Sequence, residues 1–289
     1  MVGHARAASS PATSIVVGNN LTFPVVTWGS SSGRPVLLLH GFLNDPLSWS
    51  AVAEALIKEG FFVVAPFQRG YTPTARPRTS LGYTYPQFVS DALAITNSMG
   101  FATVDVVGID LGAVEAWMLA ARNPSRVRSL TAIRYPHPAA LALAMHSSSV
   151  QKERWALVQE TLLSSSTVAA ELLANNADKL RHCLSTSGLP EPFLSRHVIR
   201  LQEPGALAAA LQWGQAVSLN EFATVPAVTA PTLHIWSADQ ALARAAIERT
   251  KDYVSKQYTE IRTTESDLFI LELNPNAVSN PLLRHLRST

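Results

Sequence analysis

The stretch VDVVGIDLGAVEAW, from Val104 to Trp117, decides the fold. Val104 to Val107 is a short apolar run rich in β-branched residues, which suits a strand buried in a parallel sheet. Ala113, Ala116, Trp117, Ala120 and Ala121 then share one face at helical spacing. Between strand and helix lies Gly108-Ile109-Asp110-Leu111-Gly112, which fits the pattern Gly-x-nucleophile-x-Gly. A strand that reverses directly into a helix strains its central residue and crowds the backbone, so small residues are needed two before and two after. The central side chain projects from the top of the sheet, beside free helix N–H groups that favour an anion. Here it is the carboxylate of Asp110. The same five residues admit a plainer reading, with two turn and packing glycines and Asp110 merely an N-cap.

Outward from this stretch the chain keeps one rhythm. Ser14 to Val17 and Leu21 to Thr27 alternate like a hairpin turning at Gly18-Asn19-Asn20. Val36 to Leu39 and Phe61 to Ala65 are continuous apolar runs of the kind buried on both faces. Trp49 to Lys58 and Tyr85 to Met99 read as the intervening helices, each stopped by glycine. Val127 to Ile133 is the next strand, and Arg134-Tyr135-Pro136-His137-Pro138 leaves its end. The spacing predicts an α/β fold with a mostly parallel, doubly wound sheet. From Ala139 to Ala223 strand signals vanish and Ala- and Leu-rich helical segments dominate, broken at Ser187 to Pro190 and at Glu203 to Gly205. The α/β pattern resumes with a strand from Pro231 to Trp236, a helix from Ala241 to Val254, a strand from Tyr258 to Thr263 and a helix from Pro275 to Arg287. The expected organisation is a disordered lead-in over residues 1–13, a core over 14–138 and 224–289, and an inserted helical cap over 139–223.

Composition narrows the class. With 47% apolar and 15% charged residues in a chain of 289, one large core is expected. The net charge of +2 comes with no basic stripe, which argues against nucleic acid. No run of about 20 apolar residues predicts a membrane span. The first fourteen residues lack the apolar segment of a signal peptide, and Cys183 is a lone cysteine expected to serve as a small packing residue. A cytoplasmic location is expected. The eight histidines show no metal-ligand spacing and there is no Gly-rich phosphate loop, so neither a metal nor any other cofactor is expected. The sequence does not decide the oligomeric state.

LLLHGF, APFQRGYTPTARP, GIDLGA, RYPHPAAL, PGALAAALQW and PTLHIWSADQAL, taken together and in order, resemble the α/β-hydrolase superfamily in its epoxide hydrolase and haloalkane dehalogenase branch. The pieces span the chain from about Val25 to its end. The resemblance implies an α/β-hydrolase fold with an all-helical cap. It implies that Asp110 is a nucleophile that attacks carbon to form an ester, and that Asp239 orients a histidine. Phe42 and Leu111 would supply the backbone N–H groups of an oxyanion hole. His40, in the strand-end His-Gly pair, would be structural.

Several positions depart from that family. Its water-activating histidine follows the last strand, but residues 262–269 contain no histidine, and counting back from Pro275 puts the expected position at Leu268. Its ring-opening tyrosine follows a tryptophan in the cap, where this chain has Trp213-Gly214. The small Gly214 is expected to widen the substrate pocket, which Tyr135, Trp213 and Leu268 would also line. Phe67 stands where an aspartate is usual.

Three local features offer substitute chemistry. Arg134, at the strand end beside the nucleophile, would pair with Asp110, with an anionic substrate or with a surface carboxylate. His137, fixed between two prolines, is an acid–base candidate, although a structural role is the alternative. Glu265 and Asp267 bracket the vacated position, either sharing a proton with the site or solvating a surface loop. Three functions are compatible with these residues. The first is a cofactor-independent enzyme that cyclises, isomerises or eliminates on a small apolar molecule of specialised metabolism, with Asp110 as base or anchor. The second is a hydrolase with a substitute base, either a cap histidine or His137. The third is a small-molecule-binding pseudoenzyme.

Overall fold

A computed structural model describes residues 11–147, 153, 165–237, 244–264 and 268–289. The strand from the opening stretch, β5 (Val104–Ile109), is buried along its whole length. It pairs in parallel with β3 (Arg34–Leu39) on one side and β6 (Val127–Ile133) on the other. Its apolar run is the one such a position needs, because both faces of a parallel sheet are covered. Around this centre eight strands order as β1-β2-β4-β3-β5-β6-β7-β8. Here β4 is Phe61–Pro66, β7 is Thr232–Ser237 and β8 is Tyr258–Thr263.

Strands β1 (Ala12–Gly18) and β2 (Leu21–Trp28) form the antiparallel hairpin and attach it to β4. Asn19 and Asn20 both have positive φ, at 51° and 60°. Tight hairpin turns need this, and asparagine tolerates it. Ala12 and Thr13 belong to β1 rather than to a disordered lead-in, which corrects that boundary; residues 1–10 lie outside the described residues.

Helix α1 (Ser50–Lys58) begins after a 3₁₀ turn over Pro46–Trp49, so the regular helix starts one residue later than the pattern predicts. Helices α2 (Tyr85–Ser98) and α3 (Leu111–Arg122) follow in the expected places. Between β6 and β7 come five described helices and no described strand. These are α4 (Pro138–His146), α5 (Ser165–Ser185), α6 (Phe193–Leu201), α7 (Ala206–Gln215) and α8 (Leu219–Phe222). The expected breaks at Ser187 to Pro190 and Glu203 to Gly205 fall between helices. Helix α5 itself is interrupted at Asn175, Asn176 and Ala177, which take left-handed φ. Helix α6 buries Leu194, His197, Val198 and Leu201, one face at helical spacing. Cys183 is exposed, so the packing role expected for it is corrected.

After β7 the described part of the predicted helix is α9 (Arg244–Thr250), closed by a 3₁₀ turn over Lys251–Tyr253. A short α10 (Ile270–Leu273), not predicted, precedes α11 (Pro275–Arg287). No helix among the described residues is long and apolar enough to cross a membrane. The chain runs from β3 outward to β4 and then returns to the other side of β3 with β5. At that reversal the loops leaving β3 and β5 diverge, and open α/β sheets form their sites in the crevice this leaves.

Candidate active site

Asp110 joins β5 to α3 with φ 52° and ψ −125°. A sparsely populated conformation of this kind costs a non-glycine residue about 1–3 kcal/mol. The flanking glycines are required by close approach. A Cβ on Gly108 would meet the carbonyl oxygen of Gly112, and one on Gly112 would meet that of His40. The Asp110 side chain makes no capping bond to its helix. Instead its Oδ2 accepts the backbone N–H of Phe42 at 3.1 Å. The side chain therefore does not cap α3 but is held by the loop that leaves β3. Leu111 is the first residue of α3 and is buried.

The loop that offers the Phe42 N–H is braced from several sides. His40 is fully buried, its Nε2 accepts the Gln68 N–H at 3.2 Å, and its Nδ1 faces Gly41 O at 3.1 Å. Burial lowers its pKa to about 4, so the ring is neutral and structural, as expected. The Gln68 side-chain amide donates to His40 O at 2.7 Å. The Tyr71 hydroxyl accepts the Leu43 N–H at 2.9 Å and donates to Gly41 O at 3.3 Å. A Cβ on Gly41 would come within 2.7 Å of Asp110 Cβ, so this loop and the carboxylate are in van der Waals contact.

Beyond β6, the N–H of Asp110 donates to Ile133 O at 3.0 Å, which seats Asp110 beside Arg134 and Tyr135. Arg134 has φ 77°, and its backbone N–H donates to Ile235 O at 2.7 Å. Tyr135 is half-buried; burial, with Asp110 second, pushes its phenol well above its ordinary range. His137 does not enter the site. Its Nδ1 accepts the Ala139 N–H and its Nε2 lies 3.2 Å from Pro226 O, while the ring stacks on Tyr253 at 4.7 Å. Both nitrogens are engaged and burial lowers the pKa to about 4. Its placement among acid–base candidates is corrected: it caps α4.

Trp213 is buried with its ring against His40, Tyr71 and Phe88 at 5.5, 5.1 and 4.7 Å. Its indole N–H donates to Arg69 O at 2.8 Å. It joins α7 to the core through these contacts. Gly214 follows it in α7, half-buried. Leu268 is half-buried and packs on the core. Asp239, Glu265 and Asp267 lie outside the described residues. Phe67 carries the Arg200 guanidinium 4.8 Å above its ring, a cation–π contact that gives the unusual aromatic a partner.

The sequence left His197 unselected among the cap histidines and did not mark Tyr85. His197 of α6 lies with Nε2 3.0 Å from Glu272 Oε1 and its ring 5.3 Å from Phe269. Arg196 donates to the same Glu272 oxygen at 3.1 Å. The apolar spacing of α6 was the available signal that His197 turns inward. Tyr85 is buried at the start of α2, with a hydroxyl that has no partner among the described residues. Nothing in its local pattern marks it.

A profile described as alpha/beta hydrolase fold matches residues 34–236. Among proteins of similar sequence, AB hydrolase superfamily protein YfhM of Bacillus subtilis is 29% identical, covering 93% of this chain and 96% of that one. Epoxide hydrolase 4 of Homo sapiens is 24% identical over 93% of this chain and 76% of its own. In structure, Epoxide Hydrolase A from Mycobacterium thermoresistibile superposes with a TM-score of 0.83 at 21% identity, covering 96% and 98% of the two chains.

Proposed function

This chain belongs to the alpha/beta hydrolase fold family, and from that premise we propose that it is an enzyme acting at Asp110 on a small, largely apolar molecule bearing a reactive carbon–oxygen centre. The observation that carries the proposal is the Phe42 N–H on Asp110 Oδ2 at 3.1 Å, at a residue kept in a strained backbone conformation. Strain of this kind persists where function uses it. With Oδ2 held by a backbone donor, Oδ1 is the oxygen directed to a substrate, either as nucleophile or as base.

The fate of a substrate engaged by Asp110 depends on water. A water without a general base loses about 10²–10⁴-fold in rate, and the position at which the family resemblance expects an imidazole is Leu268. This favours a conversion that never needs the water: cyclisation, isomerisation or elimination, with Asp110 as base or anchor. Hydrolysis is a second reading with its own support. Several similar proteins are named epoxide hydrolases, and His197, paired with Glu272 beside Phe269, is an imidazole–carboxylate pair of the kind a substitute base requires.

Incubation with a panel of epoxides in ¹⁸O-water, followed by product and intact-protein mass spectrometry, separates the two. Isomerised or cyclised product without ¹⁸O supports the first reading; ¹⁸O-labelled diol supports the second. A stable adduct absent in Asp110→Asn places Asp110 as a nucleophile whose ester is not released. Absence of product and adduct across the panel, with ligand affinity unchanged in Asp110→Asn, would mean a binding protein and defeat the proposal.

A further inference from the structure

Helix α3 is buried at every position from Leu111 to Ala121, and Glu115 is the one ionisable side chain in that run. Glu115 is 2% exposed, and its Oε2 has no hydrogen-bond partner among the described residues. A buried carboxyl without a partner is costly, and native interiors hold few such groups. This one lines a cavity of about 10 Å³, the space one water molecule needs, together with Leu39, Gln68, Arg69, Phe88 and Asp91. A second orphan belongs to the same wall. The Gln68 side-chain amide donates to His40 O at 2.7 Å, so its nitrogen is committed to that carbonyl. Its Oε1, on the other side of the amide, is buried and has no partner among the described residues.

The charged pair in the wall leaves both orphans unserved. Arg69 is held by Asp91 at 2.8 and 2.6 Å and by Gly82 O at 2.9 Å, and Asn19 donates to Asp91 at 2.9 Å. Their charges cancel, so an ionised Glu115 would stand uncompensated. Burial, with Asp91 adding to it and Arg69 opposing, pushes the Glu115 carboxyl well above its ordinary range. It therefore keeps its proton and is a donor. A buried donor and a buried acceptor on one water-sized space are what a single bridging water satisfies.

We propose that this cavity binds one resident water between the Glu115 carboxyl and Gln68 Oε1, and that Glu115 is thereby a positioning residue for the Phe42 donor. The water accepts the Glu115 O–H and donates to Gln68 Oε1. Gln68 in turn grips His40 twice, through its amide on His40 O and its backbone N–H on His40 Nε2 at 3.2 Å. His40 O is the atom that a Cβ on Gly112 would meet, and Phe42, two residues on, donates to Asp110 Oδ2. The brace therefore runs from the middle of α3, beneath the strained turn, to the loop that holds the Asp110 side chain. Its catalytic meaning rests on the reading of Asp110 as the reacting group; the water site does not.

The test uses the full chain, Glu115→Gln and Glu115→Met. Crystal structures show whether ordered water occupies the cavity, and amide hydrogen exchange by NMR reads the Phe42 N–H. Glutamine keeps a donor of the same shape, whereas methionine removes it and fills the space. The expected result is one water bonded to Glu115 and Gln68 Oε1 in the unmodified chain, retained in Glu115→Gln and lost in Glu115→Met. Exchange at Phe42 is expected to quicken about tenfold in Glu115→Met, the worth of one hydrogen bond, and to be unchanged in Glu115→Gln. Strand amides such as Val107 should hold in all three proteins, which separates a local brace from general loosening. No water in the unmodified chain, or an anomalous signal there from crystals grown in a potassium salt, would overturn the water site. Equal Phe42 exchange in the three proteins, or equal quickening at Phe42 and Val107, would overturn the positioning role. A bridged water and a braced Phe42 in a protein that converts no epoxide and is alkylated by none would keep this inference while counting against the enzymatic reading of Asp110.

Discussion

The indole N–H of Trp213 donates to the carbonyl oxygen of Arg69 at 2.8 Å, so a helix inserted after β6 is keyed to the loop that leaves β4. The same tryptophan stacks on His40, which hydrogen-bonds the Gln68 N–H one residue away. One side chain therefore ties α7 to both loops that frame Asp110.

Trp213→Phe keeps most of the ring packing and loses the N–H bond, so a loss of about 1 kcal/mol is expected. Trp213→Ala opens a cavity among three aromatic neighbours and is expected to cost about 3–5 kcal/mol. Denaturant titration checks both, and equal losses in the two variants would show that the hydrogen bond, rather than packing, carries the joint.

Gly41→Ala brings a methyl group within 2.7 Å of Asp110 Cβ. Either the loop or the carboxylate must move, and overpacking of this kind costs about 1–3 kcal/mol. Alkylation of Asp110 by reactive epoxides, followed by mass spectrometry, is expected to slow at least tenfold in the variant while the fold persists by circular dichroism.

Asp91 grips Arg69 through two bonds of 2.8 and 2.6 Å, both side chains almost wholly buried. Asn19, at the β1–β2 turn, donates to the same carboxylate at 2.9 Å. Asp91→Ala strands a buried guanidinium and is expected to destabilise by about 3–5 kcal/mol. A thermal melt shifted by less than a few degrees would refute this weight.

Stability is expected to fall on mild acidification. Burial lowers His40 and His137 to about 4, whereas both rings titrate near 6.5 in the unfolded chain. Between those values the unfolded state binds more protons, so stability rises with pH through the window and is fully present above about 6.5. Each ring withholds roughly 3 kcal/mol as pH drops from 6.5 towards 4. Urea midpoints measured at pH 7, 5.5 and 4.5 should decline in that order; equal midpoints would contradict the assignment.

The sheet was legible because buried parallel strands demand runs such as Val36 to Leu39, and the turn at Asp110 because crowding there restricts its neighbours to glycine. Phe42 was legible through motif position, since a backbone donor leaves no side-chain signature. His137 was ambiguous for a physical reason: a histidine between prolines looks alike whether its nitrogens meet a substrate or, as here, Ala139 N–H and Pro226 O. The joint that Trp213 makes with Arg69 O was not legible, because an indole suits a pocket and an inter-element joint equally well. Tyr85 was invisible, since inward direction at the first turn of α2 depends on Phe222 and Phe88, one of them more than a hundred residues away in the chain.

The hydrogen bond from Phe42 to Asp110 joins the ends of β3 and β5, neighbours in the sheet that β4 separates along the chain. Strand β6 meets β7 only after roughly a hundred intervening residues have been looped out. Closures of this span come late, because chain entropy must be given up before the contacts that reward it are made. A chain stalled part-way would carry formed hairpin and helices but leave β6, an apolar strand, with an open edge towards β7. That edge is where a partly folded copy of this protein is most exposed to aggregation.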